Sequence, residues 1–359
     1  MRCVKQSPYF RRRVSLAREE IYVRLPNWVG DVVMATPSLR ALRAARPEDE
    51  IHVLLKKPFR DLLARWPVLD GVIDLPSADL RSLSGIRRTA RRLEDHAFDE
   101  ALLLTNSFGT ALEVYLAHIP VRIGYAGDFR SWMLTDAVRG RPRVLRDDPR
   151  PMADLYLDLA ARLGAAKTDR RYELAVAPDE ENAALAWFDR HGIDPERPIA
   201  GLNPGANFGA SKLWDPLRFA AAGDRLVRDF GMQVVILGAP SEKDLLGAIS
   251  ASMREPHVDS SADIVPLGPL KALIRRLAVL VTTDTGPRAI AQAFNVPTVV
   301  VMGPTHPGWT AVNNELAVIC RHDVPCGPCH KKNCPLDHAC MTLITVDEVV
   351  AAASRWARR

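Results

Sequence analysis

Four short polar turns, each directly after an apolar run, hold the side chains best suited to chemistry. Asp284-Thr285-Gly286-Pro287 follows the run 278–283, and Asp31 closes the turn 26–31 (PNWVGD) after the run 21–25. Lys212 ends the loop 204–212 (PGANFGASK), and Glu242 ends the loop 238–242 (GAPSE). A carboxylate beside a glycine, as Asp31 is beside Gly30, can come close to a ligand and take a proton from a hydroxyl. The plainer role for Asp31 is an acid favoured by a helix N-terminus. Gly205, Ala206 and Asn207 are small enough to turn backbone amides toward a phosphate, with Lys212 as counter-charge. This loop is neither a Walker A loop nor a dinucleotide G-x-G-x-x-G. Glu242 suits a ribose hydroxyl, as acids beyond strands do in nucleotide sites, and it suits the first turn of a helix equally. Asp284 would repel a phosphate, so it is expected to accept hydrogen bonds from a hydroxyl or an amine. The amides after it open a helix and can hold an anion; capping that helix is the competing role for Asp284 and Thr285.

A second cluster is sulfur. Cys326-x₂-Cys329-x₄-Cys334-x₅-Cys340 places four thiols within fifteen residues, with His330 and His338 between them and Cys320 upstream. A C-x-x-C start with two further cysteines can complete a tetrahedral site for zinc, or an iron–sulfur centre. The later spacings are not those of a zinc ribbon. Reduced thiols or a disulfide are the alternatives, and a cytoplasmic compartment weighs against disulfides. The segment has no periodic apolar face, so a cross-link would supply order that packing does not. It is expected to be a structural clip ahead of a final helix. Thr345-Val346-Asp347-Glu348 is a capping box for that helix, and Val346, Val349, Val350, Ala353 and Trp356 line one face of it.

The turns need strands to carry them. Apolar, β-rich runs at 21–25, 51–55, 72–75, 100–104 and 121–125 alternate with helical stretches at 32–45, 58–66, 82–93 and 112–118. Such alternation predicts a largely parallel sheet, with ligands beyond the carboxyl ends of its strands. Thr36-Pro37 predicts a kink or a fresh helix start, with Thr36 as cap. The same grammar restarts later: helix 179–191, strand 198–203, a helix from Asp215-Pro216 to Gly231, strand 233–237, strand 278–283, helix 288–294 and strand 297–302. Between 139 and 151 Pro, Arg and Asp concentrate and periodicity stops. The crossing between domains is placed there or just after the helix 152–163, which Gly164 ends. The expected organisation is a basic arm 1–20, a Rossmann-like domain 21–170, a second one 171–345 that includes the Cys-rich segment 320–340, and a helix 346–359. No repeat at solenoid spacing is visible.

The chain of 359 residues is 47% hydrophobic and 25% charged, a globular composition of two-domain length. A net charge of +5 is too mild to argue for DNA, and no nucleic-acid motif occurs. The charge suits an anionic substrate or an anionic membrane surface. No apolar run approaches the roughly 20 residues that span a bilayer, and the basic N-terminus lacks the apolar core of a signal peptide. A cytoplasmic protein is expected. Its basic arm and the helix carrying Arg87, Arg88, Arg91 and Arg92 either touch anionic lipid or are simply solvated. Two α/β domains facing across a cleft, with no D-x-D metal motif in the chain, point to a GT-B architecture over GT-A.

The segments PNWVGDVVMATPSLRALR (26–43), LTNSFGTAL (104–112), RIGYAGDFR (122–130), NPGANFGASKLW (203–214), LGAPSEKD (237–244), VTTDTGP (281–287) and GPTHP (303–307) carry a resemblance. In this order they resemble the ADP-heptose:lipopolysaccharide heptosyltransferases, glycosyltransferase family 9, and above all their heptosyltransferase II branch. The resemblance implies a GT-B fold and an inverting, metal-independent transfer of heptose from ADP-heptose to a lipid A–core acceptor. It implies no catalytic cofactor; the expectation of peripheral contact with the anionic inner membrane rests on the basic arm and clustered arginines, and that of no nucleic acid on charge and motifs. Asp31 matches the proposed catalytic base and Lys212 the diphosphate-binding lysine. Glu242 matches the acid near the nucleoside, and Asp284, Thr285, Gly286 and Pro287 the motif beside the diphosphate and sugar. Gly205, Ala206 and Asn207 join the donor side, and Gly30, Asn106 and Ser107 the acceptor side. Similar cysteines occur in some of these enzymes, and in GT-B folds the last helix can cross back to the first domain. One departure stands out: Ala289 occupies the place of the family's usual histidine, and alanine can neither donate to a phosphate nor orient a sugar. Arg288 or His306 is expected to substitute, or donor use is weakened or altered. The other functions open at this stage are a GT-B enzyme for another nucleotide-sugar, a sugar-nucleotide epimerase, and a non-catalytic sugar-nucleotide or glycan-binding relative.

Overall fold

The computed structural model describes residues 18–79, 82–139 and 149–357. Most of the basic arm 1–20 and of the stretch 139–151 lies outside these residues.

Two parallel sheets of six strands organise the chain. The first contains β1 (Glu20–Arg24), β2 (Glu50–Lys56), β3 (Gly71–Leu75), β4 (Glu100–Leu103), β5 (Val121–Tyr125) and β6 (Asp136–Val138). The second contains β7 (Ile199–Asn203), β8 (Gln233–Ile236), β9 (Val258–Asp259), β10 (Val279–Thr283), β11 (Thr298–Val301) and β12 (Ala317–Cys320). Their orders are β3-β2-β1-β4-β5-β6 and β12-β11-β10-β7-β8-β9. Counted from each sheet's own first strand, both are 3-2-1-4-5-6, the Rossmann order. Central strands such as β10 (VLVTT) are buried along their whole length because helices cover both faces, so their sequences read as unbroken apolar or β-branched runs. In this order the connections leave β1 and β4, or β7 and β10, in opposite directions. A crevice opens at that switch point beyond the carboxyl ends.

Local sequence sets the helix boundaries near the crevice. Thr36-Pro37 is a fresh start: Val29–Met34 ends and Thr36–Ala45 begins, with proline in the first turn where its missing N–H is not needed. Thr36 does not cap; its hydroxyl donates to Val33 O at 2.7 Å. The helix Pro216–Phe230 is opened by the Asp215 side chain, which accepts from Leu217 N, and closed by Gly231 at φ 66°.

The two sheets are joined by a continuous apolar core. The helix Val29–Met34 packs against Gly286–Ala293, and Arg60–Leu63 against Leu267–Arg275. At the second contact buried Lys271 pairs with Glu180 at 3.0 Å and donates to Asp61 O at 2.6 Å. Two Rossmann-like bodies meeting across a cleft are the GT-B arrangement. The final helix Val346–Ala353 is opened by the Thr345/Glu348 capping box and buries Val349, Val350 and Ala353. It packs on Pro216–Phe230 and on β11 of the second sheet, and so does not cross back to the first.

Candidate functional site

Between the sheets lies a cavity of ≈ 780 Å³. Its walls include the ends of β1, β7, β8 and β10, the edges the switch-point rule marks. From the first sheet come Trp28, Gly30 and Asp31; from the second come Gly205, Asn207, Lys212, Glu242 and Asp284 through Pro287. Ala206 does not line the cavity. Asn106 and Ser107 do not either: Asn106 Oδ1 accepts from Arg130 at 3.3 Å, and Ser107 caps the helix Phe108–Leu116. Both stand at the carboxyl edge of β4, but Asn106 is held by the loop after β5 and Ser107 by its own helix start.

Glycines allow the walls to close. A Cβ on Gly286 would fall 2.8 Å from the Val29 side chain, and one on Gly30 would be 3.7 Å from Gly286 Cα. A Cβ on Gly205 would fall 2.0 Å from the Glu242 carboxylate. Glu242 Oε2 accepts from Ala239 N at 2.8 Å, so this carboxylate shapes its own turn while facing the cavity.

Asp284 is the hub of the charged wall. Lys212 Nζ donates to its Oδ2 at 2.8 Å and to its carbonyl at 2.7 Å. Arg288 donates to Oδ1 at 2.9 Å, and the Thr305 hydroxyl to Oδ2 at 2.7 Å. Its donors are side chains of the protein itself, and its own side chain makes no cap. Burial alone would raise the Asp284 carboxyl; the charges of Lys212 and Arg288 overcome this and hold it well below the usual range. One buried carboxylate thus orders two cations around a ligand space, with the amides at the start of Gly286–Ala293 beside them. Thr285 meanwhile donates to Asn203 Oδ1 at 3.1 Å, tying the turn to β7.

Asp31 faces this wall from the first sheet. Burial in the cleft raises its carboxyl from 3.8 to about 6, against the Tyr156 hydrogen bond and the Lys212 charge, which lower it; Asp284 adds to the rise. Tyr156 donates to Oδ1 at 3.2 Å. An ionised, oriented carboxylate near neutral pH is what a general base requires.

Residues 86–340 match the family glycosyltransferase family 9 (heptosyltransferase). The chain belongs to glycosyltransferase family 9. A lipopolysaccharide heptosyltransferase 2 of Escherichia coli K12 is 31% identical over 314 residues, covering 84% of this chain and 88% of that one. In fold, this family 9 chain is similar to "the glycosyl transferase family 9 from Veillonella parvula", with TM-score 0.83 at 23% identity, covering 96% and 98% of the two chains. It is also similar to the Escherichia coli "ADP-heptose lps heptosyltransferase II", with TM-score 0.77 at 26% identity, covering 94% and 98%.

Several cavity residues of the family 9 chain were invisible to sequence reading. Thr305, Trp309 and His330 line the cavity, and Tyr156 reaches it through its hydrogen bond to Asp31; they come from distant segments that only folding brings together. Thr305 alone had a signal, in the GPTHP segment. At the Ala289 position, Arg288 lines the cavity. His306 does not; its Nδ1 accepts from Gly308 N at 3.0 Å in a tight turn. The cysteines at 320, 329, 334 and 340 are free thiols, and burial pushes the Cys340 thiol up to about 11, with its neighbours Cys329, Cys334 and Cys326 adding. Four thiols are a donor set for zinc or iron. No three of their sulfurs, however, lie within 4.8 Å of one another.

Proposed function

We propose that the chain transfers heptose from ADP-heptose to the inner core of lipopolysaccharide, with inversion and without a catalytic metal. The observation that carries this reading is one raised carboxylate, Asp31, facing the Lys212–Asp284–Arg288 cluster across a single cavity. The donor and acceptor are those of the heptosyltransferase 2 relatives. Asp31 takes the proton of the acceptor hydroxyl, whose oxygen attacks the sugar carbon opposite the leaving ADP. One base and no covalent intermediate give inversion. Negative charge grows on ADP as the bond breaks, and Lys212, Arg288 and the amides at Gly286 stabilise it in the role a metal fills elsewhere. The absence of D-x-D from the chain favours this division of labour. Gly205 and Asn207 close the donor loop, and Glu242 stands at the nucleoside end.

The test is purified protein with ADP-heptose and a lipid A–core acceptor, read by mass spectrometry. Gain of one heptose is expected. No gain, with transfer from a UDP- or GDP-sugar instead, would point to another GT-B enzyme; ADP-heptose binding without turnover would point to a non-catalytic relative.

The acceptor carries lipid, so the enzyme would work at the cytoplasmic face of the anionic inner membrane. Among the described residues no helix is long and apolar enough to cross a membrane. Arg88 and Arg92 pair with Asp79, whereas Arg87 and Arg91 are exposed and make no ion pair among the described residues. The cysteines form a structural clip in this reading. An ion would have to draw their sulfurs together, and elemental analysis of protein purified without chelator decides its form: below about a tenth of an equivalent of zinc or iron, the thiols hold no metal.

A further inference from the structure

Asp31 reaches the cavity from the first turn of the helix Val29–Met34, and one of its two oxygens is held. Oδ1 accepts from the Tyr156 hydroxyl at 3.2 Å. Oδ2 accepts no hydrogen bond among the described residues, and Asp31 is partly exposed. Turning the carboxylate to exchange its oxygens would break the bond to Tyr156, and hydrogen bonds to a charged acceptor are the strong ones.

The first sheet and its helices place Tyr156 for this contact. It belongs to the helix Met152–Ala160, which buries Ala153, Tyr156, Leu157 and Leu159 and packs on Thr36–Ala45 and on Val29–Met34. The Tyr125 hydroxyl, at the end of β5, donates to Leu155 O at 3.1 Å and pins the same helical turn. Tyr156 itself is 3% exposed and sits in the apolar core with Val32 and Leu39. Both partners of the hydrogen bond are thus carried by the first sheet, and the contact does not depend on how the cleft closes.

The charged groups facing Asp31 come from the other side. Burial, the largest influence, raises its carboxyl; Tyr156 opposes this most and Lys212 next, while Asp284 adds to the rise. Lys212 is already paired with Asp284 at 2.8 Å, and so is Arg288 at 2.9 Å. Tyr172, from the segment joining the two bodies, feels Asp31 as well, and burial keeps its hydroxyl uncharged.

We propose that Tyr156 is a positioning residue for the Asp31 base: it fixes Oδ1 and leaves Oδ2 as the oxygen that takes the acceptor's proton. The inference rests on the reading of Asp31 as base and supplies the group that orients it. The proton passes from the acceptor hydroxyl to Oδ2, the hydroxyl oxygen bonds to the sugar carbon, and the electron pair of the breaking bond leaves with ADP. Tyr156 keeps its own proton throughout.

Transfer to the lipid A–core acceptor by the full chain, followed against pH, tests this. Tyr156→Phe removes the hydroxyl and keeps the ring. Its activity should fall away on acidification about one pH unit above the wild-type limb, the shift expected from losing one hydrogen bond to a charged group. On the alkaline plateau kcat should drop about tenfold, because a carboxylate free to turn presents the right oxygen less often. ADP affinity by calorimetry should stay within about twofold, since a residue acting on the transferred proton does not alter donor binding in the ground state. Added to Asp31→Asn, Tyr156→Phe should cost no further turnover, because the two act as one unit. A limb at the wild-type pH, a parallel fall in ADP affinity, or a further loss in the Asp31→Asn background would overturn the proposal and leave Tyr156 as core packing. Near-normal turnover in Asp31→Asn alone would remove the base itself and this inference with it.

Discussion

Asp31 must be ionised to act as a base, and burial works against that. With its carboxyl raised to about 6, turnover should fall as the solution is acidified through that value and stay level above it. Asp31→Asn should keep ADP affinity and lose roughly 10²-fold or more in turnover; calorimetry and single-turnover assays separate the two. The same shift acts on stability. A folded acid whose affinity for protons exceeds that of the unfolded chain destabilises the fold as pH rises from 3.8 to about 6. Asp31→Asn lacks this effect, so its stability should gain on wild type across that interval by at most about 3 kcal/mol. Urea unfolding on either side of the interval measures it, and parallel stability curves would refute the buried charge. Lys212 presents the opposite case, a cation already held by a carboxylate. Lys212→Ala removes both a diphosphate ligand and a partner of Asp284, and ADP affinity should drop by about 1.5–3 kcal/mol. An unchanged affinity would show that Arg288 and the amides suffice.

At the scale of elements, the contact between Val29–Met34 and Gly286–Ala293 determines whether Asp31 meets the charged wall. Gly286→Ala would place a methyl 2.8 Å from Val29 Cβ and Cγ1. The helices would have to move apart, at about 1–3 kcal/mol for overpacking. Lower turnover with near-normal ADP affinity is the expected signature, since the donor loops belong to one sheet. Val29→Gly, which removes both contacting atoms, should restore part of the loss in the double variant, and purely additive effects would show that the contact is not the cause. This contact could not be read from the sequence, but the elements bearing it could. Buried runs such as β7 and β10 announce themselves, and Asp215-Pro216 to Gly231 carries both of its caps. The edge strands β6 and β9 escaped because two or three partly exposed residues make no apolar run, and β12 because its four apolar residues lie beside the cysteine-rich segment and were read with it. The helix Leu267–Arg275 escaped because Gly268-Pro269 reads as a turn, although proline is tolerated in a first helical turn. At the site, Asp31, Lys212 and Asp284 were legible because each belongs to a polar turn that follows a strand. Tyr156 and His330 were not, because nothing in their own segments records the approach of distant ones.

At the scale of the whole molecule, two sheets with one strand order and no visible sequence repeat place both switch points on one cleft. The remaining question is how a lipid-bearing acceptor reaches it. The loops after β4 and β5 leave the first sheet at the same carboxyl edge as the Asp31 turn, and they hold exposed aromatics: Phe108, Phe129 at 93% exposure and Trp132 at 63%. Trp132 meets Tyr115 edge to face at 5.1 Å, so these rings adjoin the helix Phe108–Leu116, which packs on Leu83–His96. Leu83, Arg87 and Arg91, all exposed, belong to that second helix, and the two arginines make no ion pair among the described residues. Asp128 beside Phe129, and Glu94 and Asp95 at the far end of the helix, temper the positive charge. Apolar rings with cations behind them suit an anionic lipid surface, where each nearby Arg contributes about 1 kcal/mol and salt screens it. The full chain should therefore co-sediment with vesicles containing phosphatidylglycerol and release as salt is raised, and less should bind after Arg87→Glu with Arg91→Glu. Phe129→Ser with Trp132→Ser should weaken binding at every salt concentration while sparing transfer to a delipidated core acceptor, since neither residue lines the cavity. Failure of the wild-type chain to bind such vesicles at low salt would leave this face as solvated surface and the acceptor's delivery to diffusion alone.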